Sequence, residues 1–194
     1  QTTWTLQALS LDVPELETVH PNRLPFRGVL TRLDEPSDRP PNGSQGHRVL
    51  IPASVAQTAL PTLLGMAVNF DGDTQRGHAV RAKIGVITEA TVDGRDLPVR
   101  GYLFGRDFPD EVLAIKAGCR AGRLGMSYEI TDVQVEDSAA DIWAVQSCTF
   151  TGAAILERAA AAYGNTSFQA QRASGSACPL REGIEHMGIK VTDT

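Results

Sequence analysis

Ser127 and His78 are the two side chains whose types and settings fit hydrolytic chemistry. A serine hydroxyl is a poor nucleophile until an imidazole accepts its proton, so acyl transfer requires the two to come within about 3 Å of each other. Ser127 stands in Leu124-Gly125-Met126-Ser127-Tyr128-Glu129, at the start of a strand-like run that follows a turn made flexible by Gly122 and Gly125. His78 follows FDGDTQRG and directly precedes AVRAKIGVI, a loop-to-strand junction where a rigid sheet can hold a side chain at a site. The remaining histidines read as surface residues: His20 and His47 adjoin Pro/Gly-rich stretches and His186 lies in a polar tail. The G-x-S-x-G elbow of α/β-hydrolases is absent around Ser127, which excludes that fold's way of presenting a serine.

The elements that would position these residues are mostly strands. KIGVITEATVDGRDLPVRGYLF holds two β-rich runs around Asp93-Gly94, a favoured turn pair, and predicts a hairpin of Lys83 to Val92 and Leu97 to Phe104. MSYEITDVQVE and DIWAVQSCTFTGAAIL flank Asp137-Ser138-Ala139-Ala140 and predict a second antiparallel hairpin. Shorter strands are expected at Arg27 to Leu33, Arg48 to Ile51 and Met66 to Phe70. Three helices are expected: Pro52 to Leu60; Phe108 to Ala117, capped by Asp107 and ended by Gly118; and the alanine-rich Leu156 to Tyr163. The sum is an α+β domain in which antiparallel strands dominate.

Composition bounds the function. The 194 residues, 42% hydrophobic and 21% charged, fit one soluble domain with a sizeable core. No apolar run approaches the ~18 residues that would cross a bilayer, and residues 1 to 20 lack a secretory signal, although a chain beginning at Gln1 would not show a trimmed leader. The net charge of −5 and the scattered 18 basic residues argue against nucleic acid as a partner. Cys119, Cys148 and Cys178 lack metal-ligand spacing and read as structural thiols, so neither metal nor other cofactor is implied. Residues 34–46 (DEPSDRPPNGSQG) read as a mobile loop, and the packed domain is expected over 1–165 with a polar tail or linker over 166–194.

From His47 to Ser167 the chain resembles the prohead (capsid maturation) serine proteases of tailed phages, in five blocks in the same order: HRVLIPASV, GMAVNFDGDTQRGHAVRAKIGVITEA, VRGYLFGRDFPDEVLAIKA, LGMSYEI and FTGAAILERAAAAYGNTSF. The resemblance implies His78 as base and Ser127 as nucleophile. It also implies a distant likeness to herpesvirus assembly proteases, hence a closed, mainly antiparallel β-barrel with flanking helices. For the third member of the triad, the late-strand block Gln146 to Gly152 offers no carboxylate; Thr149 ranks first there, with Asp71 and Asp73 as substitutes, and Arg158 is the candidate oxyanion donor. The implied enzyme works inside the prohead in the host cytoplasm, on scaffold and major capsid protein segments and on itself, with the tail leading to a scaffold segment. Whether it forms a homo-oligomer is left open. The alternative, prompted by the missing acid, is an inert internal capsid or scaffold protein of the same fold.

Overall fold

The computed structural model describes residues 20–70 and 82–170. In chain order it contains β1 (Arg23–Arg32), β2 (Arg48–Leu50), α1 (Ala53–Ala59) with a 3-10 turn (Leu60–Thr62), β3 (Ala67–Asn69), β4 (Lys83–Ala90), β5 (Asp96–Phe104), α2 (Pro109–Arg120), β6 (Leu124–Val135), β7 (Ile142–Glu157) and β8 (Ser167–Ala170). The β4–β5 hairpin forms where Asp-Gly predicts it: Asp93 and Asp96 exchange backbone hydrogen bonds of 2.9 Å, and Gly94 supplies a φ of 56°. The second expected hairpin is the long β6–β7 pair.

The 16-residue β7 is the spine of the sheet. One of its edges carries β6 antiparallel; the other carries β2 in parallel near its start (Val49↔Trp143) and β3 in parallel near its end (Val68↔Ala153). From β3 the sheet continues antiparallel through β4, β5, β1 and β8. The implied closed antiparallel barrel is therefore not what forms: this is a curled, open half-barrel with mixed parallel and antiparallel pairing. Closure would need β6 to join β8 by a continuous staggered ladder. Instead the two free margins are linked by a side chain, with Met126 N–H donating to Thr166 Oγ1 at 3.3 Å. The chain also has fewer helices than its alanines suggest.

Leu156 to Tyr163 is the misread segment. Leu156 and Glu157 finish β7, and residues 158–163 turn. Tertiary burial outweighs alanine's helix preference here, as Ala161, Ala162 and Tyr163 are nearly all buried. The Tyr163 hydroxyl lies 3.0 Å from Val49 C=O and 3.2 Å from Glu35 C=O, which pins the turn to the opposite segment. In α2, Gly118 does not end the helix; it gives room to Leu124, whose Cγ would sit 2.7 Å from an added Cβ. Gly122, at φ 64°, makes the turn that follows.

The segment 34–46, expected as a mobile loop, is tied down at several points. Ser37 N–H donates to Val49 C=O and Val49 N–H to Ser37 Oγ, at 2.8 and 3.0 Å. Ser44 is buried, its hydroxyl 2.8 Å from Pro41 C=O and 2.6 Å from His47 C=O. Strand β8 carries the sheet past residue 165 by pairing with β1. Cys119 and Cys148 are free thiols, Cys178 lies outside the described residues, and no described helix is long and apolar enough to cross a membrane.

The core runs the length of the sheet and includes an edge-on Tyr128–Phe150 pair. The Tyr128 hydroxyl is buried without a hydrogen-bond partner among the described residues. Burial, then proximity to Tyr163 and Cys148, raises its pKa far above the ordinary tyrosine range. A raised folded-state pKa stabilises below the unfolded value and is lost as pH climbs. Thermal melts should therefore show stability falling above about pH 10, more shallowly in Tyr128→Phe. Removing the unpartnered hydroxyl should also raise the neutral-pH Tm by roughly 2–4 °C, for about 1 kcal/mol relieved.

Candidate active site

Ser127 is half-buried on β6 and pairs with Ala154 of β7, which in turn pairs with Asn69 of β3. Ser127, Ala154 and Asn69 thus make one row across three strands, and residues opposite one another in a sheet share a face. Two residues on, Glu129 lies on that same face opposite Gly152. Alternate residues of a strand are about 6.6 Å apart, a span that an imidazole with a hydrogen bond of about 3 Å on each nitrogen covers.

The Glu129 carboxylate is held from beneath and from the side. Gly152 has no side chain, and an added Cβ would fall 2.7 Å from Glu129 Oε2 and 3.1 Å from Ala67 C=O. Asn69 Nδ2 donates to Glu129 Oε1 at 2.6 Å, a short charge-assisted bond. Asn69 is wholly buried, and its Oδ1 has no hydrogen-bond partner among the described residues. Buried polar groups are nearly always satisfied, so an acceptor left open beside a carboxylate suits a donor that arrives with a reacting group. The arrangement offers a hydroxyl, a fixed negative charge and a spare acceptor on one patch of sheet.

The expected third member does not join this patch. Thr149 pairs with Thr131, four residues along β6 from Ser127 and so about 13 Å away, beyond the reach of one imidazole. Arg158 is exposed, its N–H on Arg123 C=O at 2.8 Å, and it starts an equal distance along β7 from Ser127's partner. His78, Asp71, Asp73 and His186 lie outside the described residues. His47 is half-buried against Trp143, ring centroids 4.6 Å apart, with Nδ1 2.9 Å from Ala140 C=O, which gives it a packing role.

Glu129 is the residue that sequence reading missed. The acid expected in the late strand is absent there, whereas Glu129 sits two places after Ser127 on the same strand. The readable signal was the spacing Ser127-x-Glu129, since period two puts both on one face. Beside Ser127 opens a cavity of about 460 Å³, bounded by Val49, Ile130, Val135, Trp143 and Val145 and by the Arg39–Ser44 segment opposite. Among the described residues no group of His, Cys, Asp and Glu is arranged to hold a metal ion.

Two substitutions test how Glu129 is seated. In Asn69→Asp two carboxylates would meet at hydrogen-bonding distance and one should stay protonated. Its stability should then fall as pH rises from about 4 to 8, relative to the unsubstituted chain, in denaturant titrations. Gly152→Ala should keep the fold yet displace the Glu129 carboxylate, visible as a shifted side-chain resonance in NMR spectra.

Compared with known proteins, the chain matches no protein-family model and no curated protein. Its fold is similar to the solved structure of the bacteriophage T4 capsid assembly protease, gp21, at 16% sequence identity over 70% of this chain and 98% of that chain, with a TM-score of 0.42. A likeness so remote leaves the functional reading to this chain's own residues.

Proposed function

We propose that this chain is a serine endopeptidase of the prohead-maturation type, with Ser127 as nucleophile, His78 as base and Glu129 as the carboxylate that orients and neutralises the imidazolium. The observation that carries the reading is the Ser127–Glu129 pair on one face of β6, the carboxylate fixed by Asn69 and the serine beside a cavity. The block-by-block sequence resemblance supports the assignment of His78. Glu129 takes the place first given to Thr149, and it supplies the negative charge that a threonine hydroxyl lacks.

In the first half-reaction His78 accepts the Ser127 Oγ proton as the oxygen attacks the peptide carbonyl, and the resulting imidazolium gives that proton to the leaving amine. Water then attacks the acyl-enzyme with the same imidazole as base, and Ser127 is regenerated. Glu129 stays ionised throughout and holds the ring N–H that faces it. On this reading the substrates are scaffold and capsid-protein segments inside the immature shell. The polar stretch within 166–194, beyond the strand it contributes, is a linker to a scaffold segment or a site of self-cleavage.

A serine-directed phosphonate should label Ser127 and leave Ser127→Ala unlabelled, and Ser127→Ala precursor should stay uncut on incubation. Glu129→Gln should keep the fold and lose roughly 10³–10⁴ in kcat. Absence of labelling in folded protein would sink the protease reading, while full activity in Glu129→Gln would sink the role of Glu129 alone.

A further inference from the structure

Sheet partners balance the cations at one end of β1 and β5. Arg32 is opposed by Asp96 and Arg100 by Glu89, and both couples form ion pairs. Towards the start of β1 that pattern stops. Arg23 is opposed by Phe104, and its guanidinium lies over the Tyr102 ring, 4.7 Å from the centroid. A stacked guanidinium keeps its in-plane N–H groups for an acceptor at its edge.

Three more donors border the same place. His20, Arg23, Arg106 and Lys116 line a cavity of about 260 Å³ between the start of β1, the end of β5 and α2. The residues three and four places from Lys116 on α2 are Val112, Leu113, Cys119 and Arg120, so its helix puts no acid at a pairing position. Asp107, the acid beside Arg106, is engaged by Asn22 instead, its carboxylate accepting from Asn22 Nδ2 at 2.7 Å. Asn22 also fixes the rim: its Oδ1 accepts from Arg106 N–H at 2.7 Å and its C=O from Gly105 N–H at 2.8 Å. Its own N–H donates to His20 Nδ1 at 3.2 Å, which leaves the ring proton on Nε2 as a donor even in the neutral imidazole. The basic residues look scattered in the sequence, yet the fold brings those at positions 20, 23, 106 and 116 to one concavity. Like charges gathered without acids repel one another, a cost that a bound anion removes.

We propose that this cavity is a binding site for a phosphate-class oxyanion, either the free ion or the phosphate of a small monoester. Two guanidinium forks, an ammonium and an imidazole N–H converge on it from three chain segments. A carboxylate offers such donors two oxygens and a single charge, whereas a phosphate offers three or more oxygens and up to two charges on several sides. Pro21, Leu24 and Val112 add an apolar side on which the organic part of an ester rests. The cavity shares no lining residue with the one beside Ser127, so the inference stands apart from the protease reading.

The test follows thermal melts and phosphorus NMR spectra of the full chain with sodium phosphate or phenyl phosphate, at an ionic strength held constant with sodium chloride. Binding to the folded state should raise Tm saturably, by about 3 °C or more at about 50 mM ligand. Arg106→Gln combined with Lys116→Gln alters exposed side chains. Without phosphate this double variant should melt at or above the Tm of the unsubstituted chain, because repulsion is relieved, and its phosphate affinity should fall roughly tenfold or more. General stabilisation by phosphate persists in the variant, so the difference between the two chains reports the site. Each substitution alone should weaken binding about threefold or more, which decides the matter where the double variant folds poorly. Tighter binding of phenyl phosphate assigns the site to an ester and tighter binding of inorganic phosphate to the free ion; both uphold it. Unchanged affinity in the variants, or no saturable binding by about 50 mM, overturns it. Affinity for oligothymidylates that grows with their length, without binding of phenyl phosphate, also overturns it by giving the cations to a nucleic-acid surface.

Discussion

A carboxylate can lie flat across the middle strand of this sheet only because that strand lacks a side chain at one position. Gly152 leaves the space, Glu129 fills it from β6 with one carboxylate oxygen, and Asn69 donates to the other oxygen from β3. A hairpin and a strand distant from it in sequence must hold register for this, since a one-residue slip would turn each side chain to the other face. The register of β6 on β7 therefore sets both stability and site. It also fixes which groups of β6 border the cavity, so one constraint governs both the Glu129 seat and the cavity's edge.

The open half-barrel follows from the same economy of strands. β2 and β3 share one edge of β7 as three-residue segments, too short to carry the stagger that closure demands. An open margin is ordinarily a hazard, because unpaired strands invite aggregation. Here part of it is blocked by Thr166 and the rest is recessed behind Arg39–Ser44. The tyrosine beneath it, Tyr128, is held in the core with a hydroxyl that no described residue satisfies.

Much of the strand order was legible in the sequence because hairpins are local. Asp93-Gly94 announced β4–β5, and alternation announced β6–β7. The parallel pairing of β2 and β3 with β7 was not legible, as nothing in a three-residue run names its partner. The alanine-rich end of β7 misled for the opposite reason: local preference spoke clearly and burial overruled it. Ser127 was singled out from its block, while the expectation for an acid was directed at another strand. Adjacency along β6 was in plain view, but the support given to Glu129 by Gly152 and Asn69 exists only after three strands assemble.

Tyr163 joins positions 128 and 114 residues earlier in the chain, through the carbonyls of Glu35 and Val49. Contacts of such range form late, because the intervening chain must first exist and then be ordered. On a ribosome the wall of the cavity is left without its anchor until nearly the whole domain has emerged. A nascent chain truncated before that tyrosine has the serine and its neighbouring acid but not the enclosed cleft. Enclosure of the cavity is thereby deferred, by topology alone, until Tyr163 has been added to the chain.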